Sequence, residues 1–368
     1  MRVRELSDRE LTLSFLERQL LLERRSMTAA RAVHRLVALQ AQYSLSPYVA
    51  LHSRLDGFRI GDLEAALRRG TVVKATLMRG TLHLVAAADR PVFAAAWGRQ
   101  AATMARGRSP GAASDEEVVV ADLRDYLVEP RTTDEIRERV RELTGEQVRD
   151  DRLLDHARLL VPLVHVMPSG LWRQHGKFSL VLPQAPVDGG DSEADPEATA
   201  WLVRRYLSAY GPATREDIAA FTWLTFRQLD PALDTLEPLR RFTDRAGRDL
   251  LDIARMPIVS EDLVAPTRLL AKWDAALVSH RDKARIVPPE HAESIHRSKN
   301  GEIGPCYLVD GLVAGRWRHH VEGRTSVFTV LPLVADAPLP PDLEPEALRM
   351  LDLLAPDATE RRIDVSAD

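Results

Sequence analysis

The chain has 368 residues, 45% hydrophobic and 28% charged, the balance of a globular protein with room for two or more domains. No window approaches the roughly 18 consecutive apolar residues of a membrane span, and the polar start Met1-Arg-Val-Arg-Glu is not a secretory signal, so a cytoplasmic protein without membrane attachment is expected. The single cysteine, Cys306, excludes an internal disulfide and a cysteine-cluster metal site, and a net charge of −4 leaves any nucleic-acid partner to be held by a local patch.

In chain order, residues 5–25 read as a helix, with Ser7 as N-cap and Glu10 as its box partner. A second helix, 27–41, carries the apolar set Val33, Leu36, Val37 and Leu39 and ends before Ser46, because Pro47 disfavours helical backbone in the residue ahead of it. Gln40 and Gln42 fall at that exit. In a continuing helix they diverge, whereas in an extended exit residues i and i+2 share a face and both amides can converge on one ligand or one water. Spacing alone leaves both that reading and a solvated surface pair open. A third helix, 61–69, stops at Gly70, and Val72 to Val85 reads as two short strands turning near Arg79-Gly80. Three helices followed by a hairpin is the order of a winged helix, used mainly on DNA.

The order recurs twice. Pro130-Arg-Thr132-Thr-Asp-Glu135-Ile136 and Pro212-Ala-Thr214-Arg-Glu-Asp217-Ile218 share the pattern Pro-x-Thr-x-x-acid-Ile, in which Thr caps a helix and the acid favours its first turn. Strand pairs are expected between Leu163 and Leu182 and between Leu239 and Ile253. Gln184 to Ala200, rich in Pro, Gly, Asp and Glu, reads as an acidic connector. From 255 the pattern changes to short apolar runs and reads as a small β-rich, barrel-like domain with Asp310-Gly311 as a hairpin turn. A last helix is expected at 343–355, with a disordered tail after Pro356. Basic residues cluster from Arg90 to Arg108, with four arginines and no acid, and from Arg316 to Arg324, with Arg316, Arg318, His319, His320 and Arg324 against Glu322.

Four ordered blocks then carry a resemblance: Leu39-Gln40-Ala41-Gln42; Arg79-Gly80-Thr81-Leu82-His83-Leu84; Lys272-Trp273-Asp274 with His280-Arg281 and Arg285; and Leu308-Val309-Asp310-Gly311 running to Arg316-Trp317. Together they resemble the AlkZ-like bacterial DNA glycosylases, the winged-helix family that also includes YcaQ. The resemblance implies an α+β fold of three tandem winged-helix domains plus a C-terminal β-barrel-like domain, C-shaped around DNA. On this chain the boundaries are 1–112, 113–184 and 199–254 for the winged helices, 185–198 for the acidic linker, 255–336 for the barrel-like domain and 337–368 for the last helix and tail. It also implies a catalytic Gln-x-Gln motif, here Gln40 and Gln42. The YcaQ branch carries Gln-x-Asp, so the second Gln places the chain nearer the branch linked to self-resistance against guanine-alkylating natural products.

Two amides suit a particular chemistry. Cleaving an N-glycosidic bond passes through an oxocarbenium-like sugar, which most enzymes meet with a carboxylate. Glutamine cannot ionise, but it accepts from a water through its carbonyl and donates through its NH₂. That suffices when the leaving group is already good, as is a guanine made cationic by alkylation at N7. The expected activity is therefore monofunctional hydrolysis of N7-alkylguanine, including bulky or interstrand-crosslinked adducts, with no Schiff base, since no catalytic lysine is apparent beside the motif, and with no metal or cofactor. The partner is double-stranded DNA and the chain is expected to be a monomer.

Among supporting residues, His83 is read as a phosphate or lesion contact or a structural histidine, Arg79 as a DNA contact or a solvated turn residue, and Asp274 as the orienting partner of a base such as Arg281 or as packing plus a cap. His280, Arg281, Arg285, Arg316 and Arg318 are candidate phosphate contacts or solvated charges. The alternative for the whole chain is a non-catalytic transcription regulator built from winged helices.

Overall fold

Ser7 starts the first helix as its sequence directs: its side chain accepts from the Glu10 N–H at 3.1 Å and Glu10 reaches back to the Ser7 N–H at 2.9 Å. The computed structural model describes residues 3–109, 116–183, 195–236, 238–296, 301–335 and 337–366. The helix it opens, α1 (Asp8–Arg18), is shorter than the 5–25 expected, because Arg4–Leu6 is a strand, β1.

The chain then runs through α2 (Ala29–Arg35), β2 (Leu39–Gln40), α3 (Ser46–Arg54), α4 (Ile60–Arg68), β3 (Val72–Leu77), β4 (Thr81–Ala86) and α5 (Arg90–Arg108). Two expectations are corrected here. The second helix ends at Arg35, six residues early, because Val37 takes a left-handed φ of 72° and turns the backbone into β2. Pro47 ends no helix; it sits in the first turn of α3, where a missing N–H costs nothing. The hairpin, by contrast, turns where read, at Arg79 (φ 61°) and Gly80 (φ 67°).

Next come α6 (Glu116–Tyr126), β5 (Arg131–Thr132), α7 (Thr133–Thr144), α8 (Leu153–Leu160), β6 (Val164–His165) and β7 (Ser179–Val181), and then α9 (Pro196–Tyr210), α10 (Arg215–Thr222), α11 (Phe226–Thr235), β8 (Arg240–Asp244) and β9 (Asp249–Asp252). Thr132 with Glu135 and Thr214 with Asp217 form the capping boxes that the repeated pattern calls for. Most of the acidic connector lies outside the described residues, and Asp195 already caps α9.

Strands from the first and second runs share one six-stranded sheet in the order β2-β4-β3-β6-β7-β5, joined where Ala75 of β3 faces Val164 of β6. β1 pairs in parallel with β8 in a separate three-stranded sheet, so the N-terminus is built into the third run. The main core gathers Phe93, Trp97 and Ala101 of α5 against Val203 and Tyr206 of α9. The basic run on α5 is largely structural: Arg90 is buried and donates to the Pro162 carbonyl, Arg106 pairs with Glu116 and Arg108 with Asp155.

The C-terminal part comprises β10 (Arg268–Leu270), α12 (Ala275–Val278), α13 (Ala292–His296), β11 (Cys306–Val309), β12 (Leu312–Glu322), β13 (Thr325–Pro332), α14 (Leu343–Leu354) and β14 (Glu360–Val365). Among the described residues it is an open five-stranded sheet, β10-β11-β12-β13-β14, and not the expected barrel. Closure is unnecessary because Tyr307, Trp317 and Phe328 are covered by Leu343, Met350 and Leu351 of α14. The tail expected to be disordered supplies β14, which pairs in parallel with β13. Asp310-Gly311 forms the tight turn read from sequence, at φ 46° and 90°. Gly315 is fixed by close approach, since an added Cβ would lie 2.5 Å from the Leu331 carbonyl oxygen.

Candidate active site at the Gln40 and Gln42 strand

The path into the motif is held from outside. A β-branched residue in left-handed backbone, such as Val37, persists only where neighbours over-determine it. Here α9 does so: the Tyr210 hydroxyl donates to the Leu36 carbonyl at 3.0 Å and Arg205 donates to the His34 carbonyl. Gln19 of the segment after α1 donates to the Ala209 carbonyl at 2.8 Å, tying the same helix to the first run. β2 is thus an edge strand set in place by a helix more than 150 residues downstream in sequence.

On that edge Gln40 stands directly opposite His83 of β4, so the two side chains leave the same face of the sheet. The Ala41 N–H donates to the Leu82 carbonyl at 2.8 Å, which carries the pairing one step past β2. Gln40 is half-buried and Gln42 exposed. The Gln42 carbonyl Oε1 accepts from the Leu82 N–H at 3.4 Å, which leaves its NH₂ as the group that can donate to a ligand. Among the described residues no carboxylate hydrogen-bonds to Gln40, Gln42 or His83.

His83 is 2% exposed, and Nδ1 lies 3.0 Å from the Thr81 carbonyl, to which it donates. Burial, reinforced by the Arg79 charge, pushes its pKa down to about 3. It is therefore a neutral imidazole near pH 7, with its second ring nitrogen as an acceptor. Burial also lowers His52 to about 4 and holds His280 well below the ordinary range. An unfolded chain takes up protons at these histidines as pH falls through about 6.5, while the folded chain does not. Their stabilisation is fully present above pH 6.5 and is lost progressively down to about pH 3–4. Urea-unfolding midpoints between pH 8 and 4 are expected to fall with acid in that window, and His83→Gln to flatten the dependence; an unchanged slope in His83→Gln would show that His83 titrates freely.

The remaining candidate residues separate into interior and surface. Arg79 is half-buried; its guanidinium donates to the Phe221 carbonyl at 2.8 Å and lies 4.9 Å from the Phe221 ring centre, binding the hairpin tip to α10. Asp274 pairs with Arg54 and not with Arg281: both oxygens accept from the guanidinium, at 2.9 and 2.7 Å, and both side chains are buried. The reason is burial itself, since a buried carboxylate selects the one cation that can also be buried. His280 is interior, with Nε2 donating to the Tyr210 carbonyl at 2.9 Å, and Arg285 donates to the Pro212 carbonyl at 2.8 Å. Arg281 is exposed, its backbone N–H bonded to Asp217. Arg316 is half-buried opposite Cys306 and Leu331 on β12, and Arg318 is exposed opposite Thr329. His319 bonds to Ser326 and His320 to Glu322, and among the described residues no group of His, Cys, Asp or Glu is arranged to hold a metal.

Sequence reasoning missed two features beside the motif. Arg54 is buried at the end of α3, a helix that the reading of Pro47 as a terminator alone leaves out. Lys272 is the second: its Nζ lies 5.5 Å from the ring centre of Tyr43, the residue after Gln42, and is ion-paired with Glu302. A lysine does therefore stand near the motif. A cleft of about 870 Å³ is found elsewhere, among Thr214, Asp217, Asp230, Arg248, Arg281 and Asp282; its lining is rich in acids and does not include the glutamines.

Comparison with known proteins gives three findings. A family model described as DNA glycosylase AlkZ-like matches residues 33–353. The interstrand DNA cross-link repair glycosylase of Streptomyces sahachiroi is 29% identical over 335 residues, 82% of this chain and 85% of that protein. The solved structure of Streptomyces sahachiroi DNA glycosylase AlkZ matches with a TM-score of 0.77 at 21% identity, covering 98% of this chain and 100% of that one.

Proposed function

The chain belongs to the AlkZ-like DNA glycosylase family, and on that premise we propose that it is a monofunctional glycosylase hydrolysing the N-glycosidic bond of N7-alkylguanine in duplex DNA, bulky and interstrand-crosslinked adducts included. The relative named for cross-link repair supports the choice of lesion. The observation that carries the mechanism is one uncharged amide, Gln40, on an edge strand opposite a neutral histidine, and a second, Gln42, two residues on, without a carboxylate among the described residues bonded to any of the three.

In this reading a water donates to the Gln40 carbonyl and accepts from the Gln42 NH₂, the Gln42 carbonyl being held by the Leu82 N–H. One lone pair of the water stays free for the anomeric carbon. The amides position and do not deprotonate, so the leaving group must supply the driving force: a cationic N7-alkylguanine departs as a neutral base, and the water bonded to the anomeric carbon gives its extra proton to solvent. A cytosine or an unmodified guanine would not leave. The three helix–hairpin runs are read as winged helices that present this edge to DNA, with the C-terminal sheet completing the contact. Arg281, Arg316 and Arg318 are kept as phosphate contacts, and Asp274, His280, Arg285 and Arg79 as residues that hold the segments around them.

The absence of a Schiff base has a direct test, since Lys272 is the amine that would form one. Incubation with N7-methylguanine duplex and borohydride is expected to release the base, leave the strand unbroken and trap no protein. A covalent protein–DNA adduct lost in Lys272→Met would overturn the monofunctional mechanism.

A further inference from the structure

Next to the glutamines is a charged cluster that the proposed hydrolysis does not use. The Lys272 ammonium lies between two aromatic faces, 5.5 Å from the Tyr43 ring centre and 4.6 Å from that of Trp273. Tyr43 directly follows Gln42 and is one of the larger exposed aromatic side chains, at 39%. The cluster is built with care. The Ser46 hydroxyl donates to the Lys272 carbonyl at 2.7 Å, Trp273 Nε1 donates to the Gly301 carbonyl at 3.0 Å and the Trp273 N–H donates to the Ile303 carbonyl at 3.0 Å. Trp273 takes a left-handed φ of 55°, unusual for a bulky residue and held there by its packing against the main core. One residue on, Asp274 locks the segment to α3 through Arg54.

The only acid paired with Lys272 among the described residues is Glu302, and its side chain is half-exposed. An exposed carboxylate on a lysine beside a DNA-facing strand competes for the same ammonium as a phosphate would. Aromatic faces keep the ammonium aimed while its anionic partner changes.

Building on the glycosylase reading, we propose that Tyr43, Lys272 and Trp273 form a clamp for one backbone phosphate of the lesion-bearing strand, in which Glu302 occupies the phosphate position until DNA displaces it. The clamp fixes the strand beside Gln42 and keeps Lys272 engaged as a cation. Tyr43, on the same lip, is placed to lie against the sugar or base next to the lesion.

The test is binding of the full chain to duplexes with and without a tetrahydrofuran abasic analogue, measured across a salt series. Lys272→Met is expected to weaken binding several-fold and to reduce the slope of log affinity against log salt by about one, the change for one lost phosphate contact. Lys272→Arg is expected to keep the wild-type slope, and Glu302→Gln to bind more tightly than wild type. A wild-type slope in Lys272→Met, or no gain in Glu302→Gln, would overturn the clamp. Release of N7-methylguanine by wild type on the same duplexes, measured in parallel, reports on the glycosylase reading separately, so a failure of one is not mistaken for a failure of the other.

Discussion

Gln40→Ala and Gln42→Ala are each expected to lower single-turnover release of N7-methylguanine by on the order of 100-fold while leaving duplex binding near wild type. The size follows from what an amide does here. Each contributes one hydrogen bond to a water that must hold its line to the anomeric carbon, and misplacing a nucleophile by about 1 Å costs roughly that much. The two variants should not be equivalent. Gln42 is braced by the Leu82 N–H, so Gln42→Glu puts a charge where a donor is required and should be as slow as Gln42→Ala. Gln40 offers its carbonyl, and Gln40→Glu keeps an acceptor, so it should retain more activity than Gln40→Ala. Neither change touches the core, and both proteins should unfold at the wild-type midpoint. Full excision by both alanine variants would return the pair to surface status.

The second large effect concerns stability. Asp274→Ala is expected to cost roughly 3–5 kcal/mol, because it leaves the Arg54 guanidinium buried without its carboxylate. Two further carbonyls, those of Gln19 and Ala50, accept from Arg54, so it cannot swing out to water without breaking them as well. Arg54→Met combined with Asp274→Leu removes both charges together and is expected to recover part of the loss, the Gln19 carbonyl and the Ala276 N–H being left without the partners these side chains supply. Urea unfolding checks both. A loss in Asp274→Ala below about 1 kcal/mol would mean that solvent reaches the pair. Arg18 and Asp252 make a comparable buried pair, at 2.7 and 2.9 Å, between α1 and β9. The N-terminal helix and the helix that follows the motif are thus each tied to later parts of the chain.

What could be read from sequence was what local chemistry decides. Ser7 with Glu10, Thr132 with Glu135 and Thr214 with Asp217 act within four residues, and each forms the cap expected of it. Arg79-Gly80 and Asp310-Gly311 turn for the same reason. The motif was identified by its residues, but its setting was not: β2 is two residues long and exists only because β4 pairs with it and α9 holds its approach. No hydrophobic period signals a strand that short. Pro47 carried two meanings, terminator and first-turn residue, and local rules favour neither. The Arg54 and Asp274 pairing spans 220 positions, and sequence offered Arg281 as the nearer cation. The expected barrel failed on a similarly distant fact, the packing of α14 across the sheet. β14, Glu360-Arg-Arg-Ile-Asp-Val, resembles a disordered tail in composition and becomes a strand only because β13 offers an unpaired edge.

Cutting the glycosidic bond of an alkylated base by hydrolysis is the proposed activity of this chain. The most direct test is mass spectrometry of the free base and of the separated strands from duplexes carrying N7-methylguanine or an N7-guanine interstrand crosslink. From the first, free N7-methylguanine and an abasic site in an unbroken strand are expected; from the second, one hydrolysis unhooks the strands, leaving an abasic site in one and the bridged guanines on the other, and the bridged bases come free only after a second hydrolysis. Tight binding to both duplexes with no base released from the first and no strands unhooked in the second would contradict that activity and make the chain a DNA-binding protein without this chemistry.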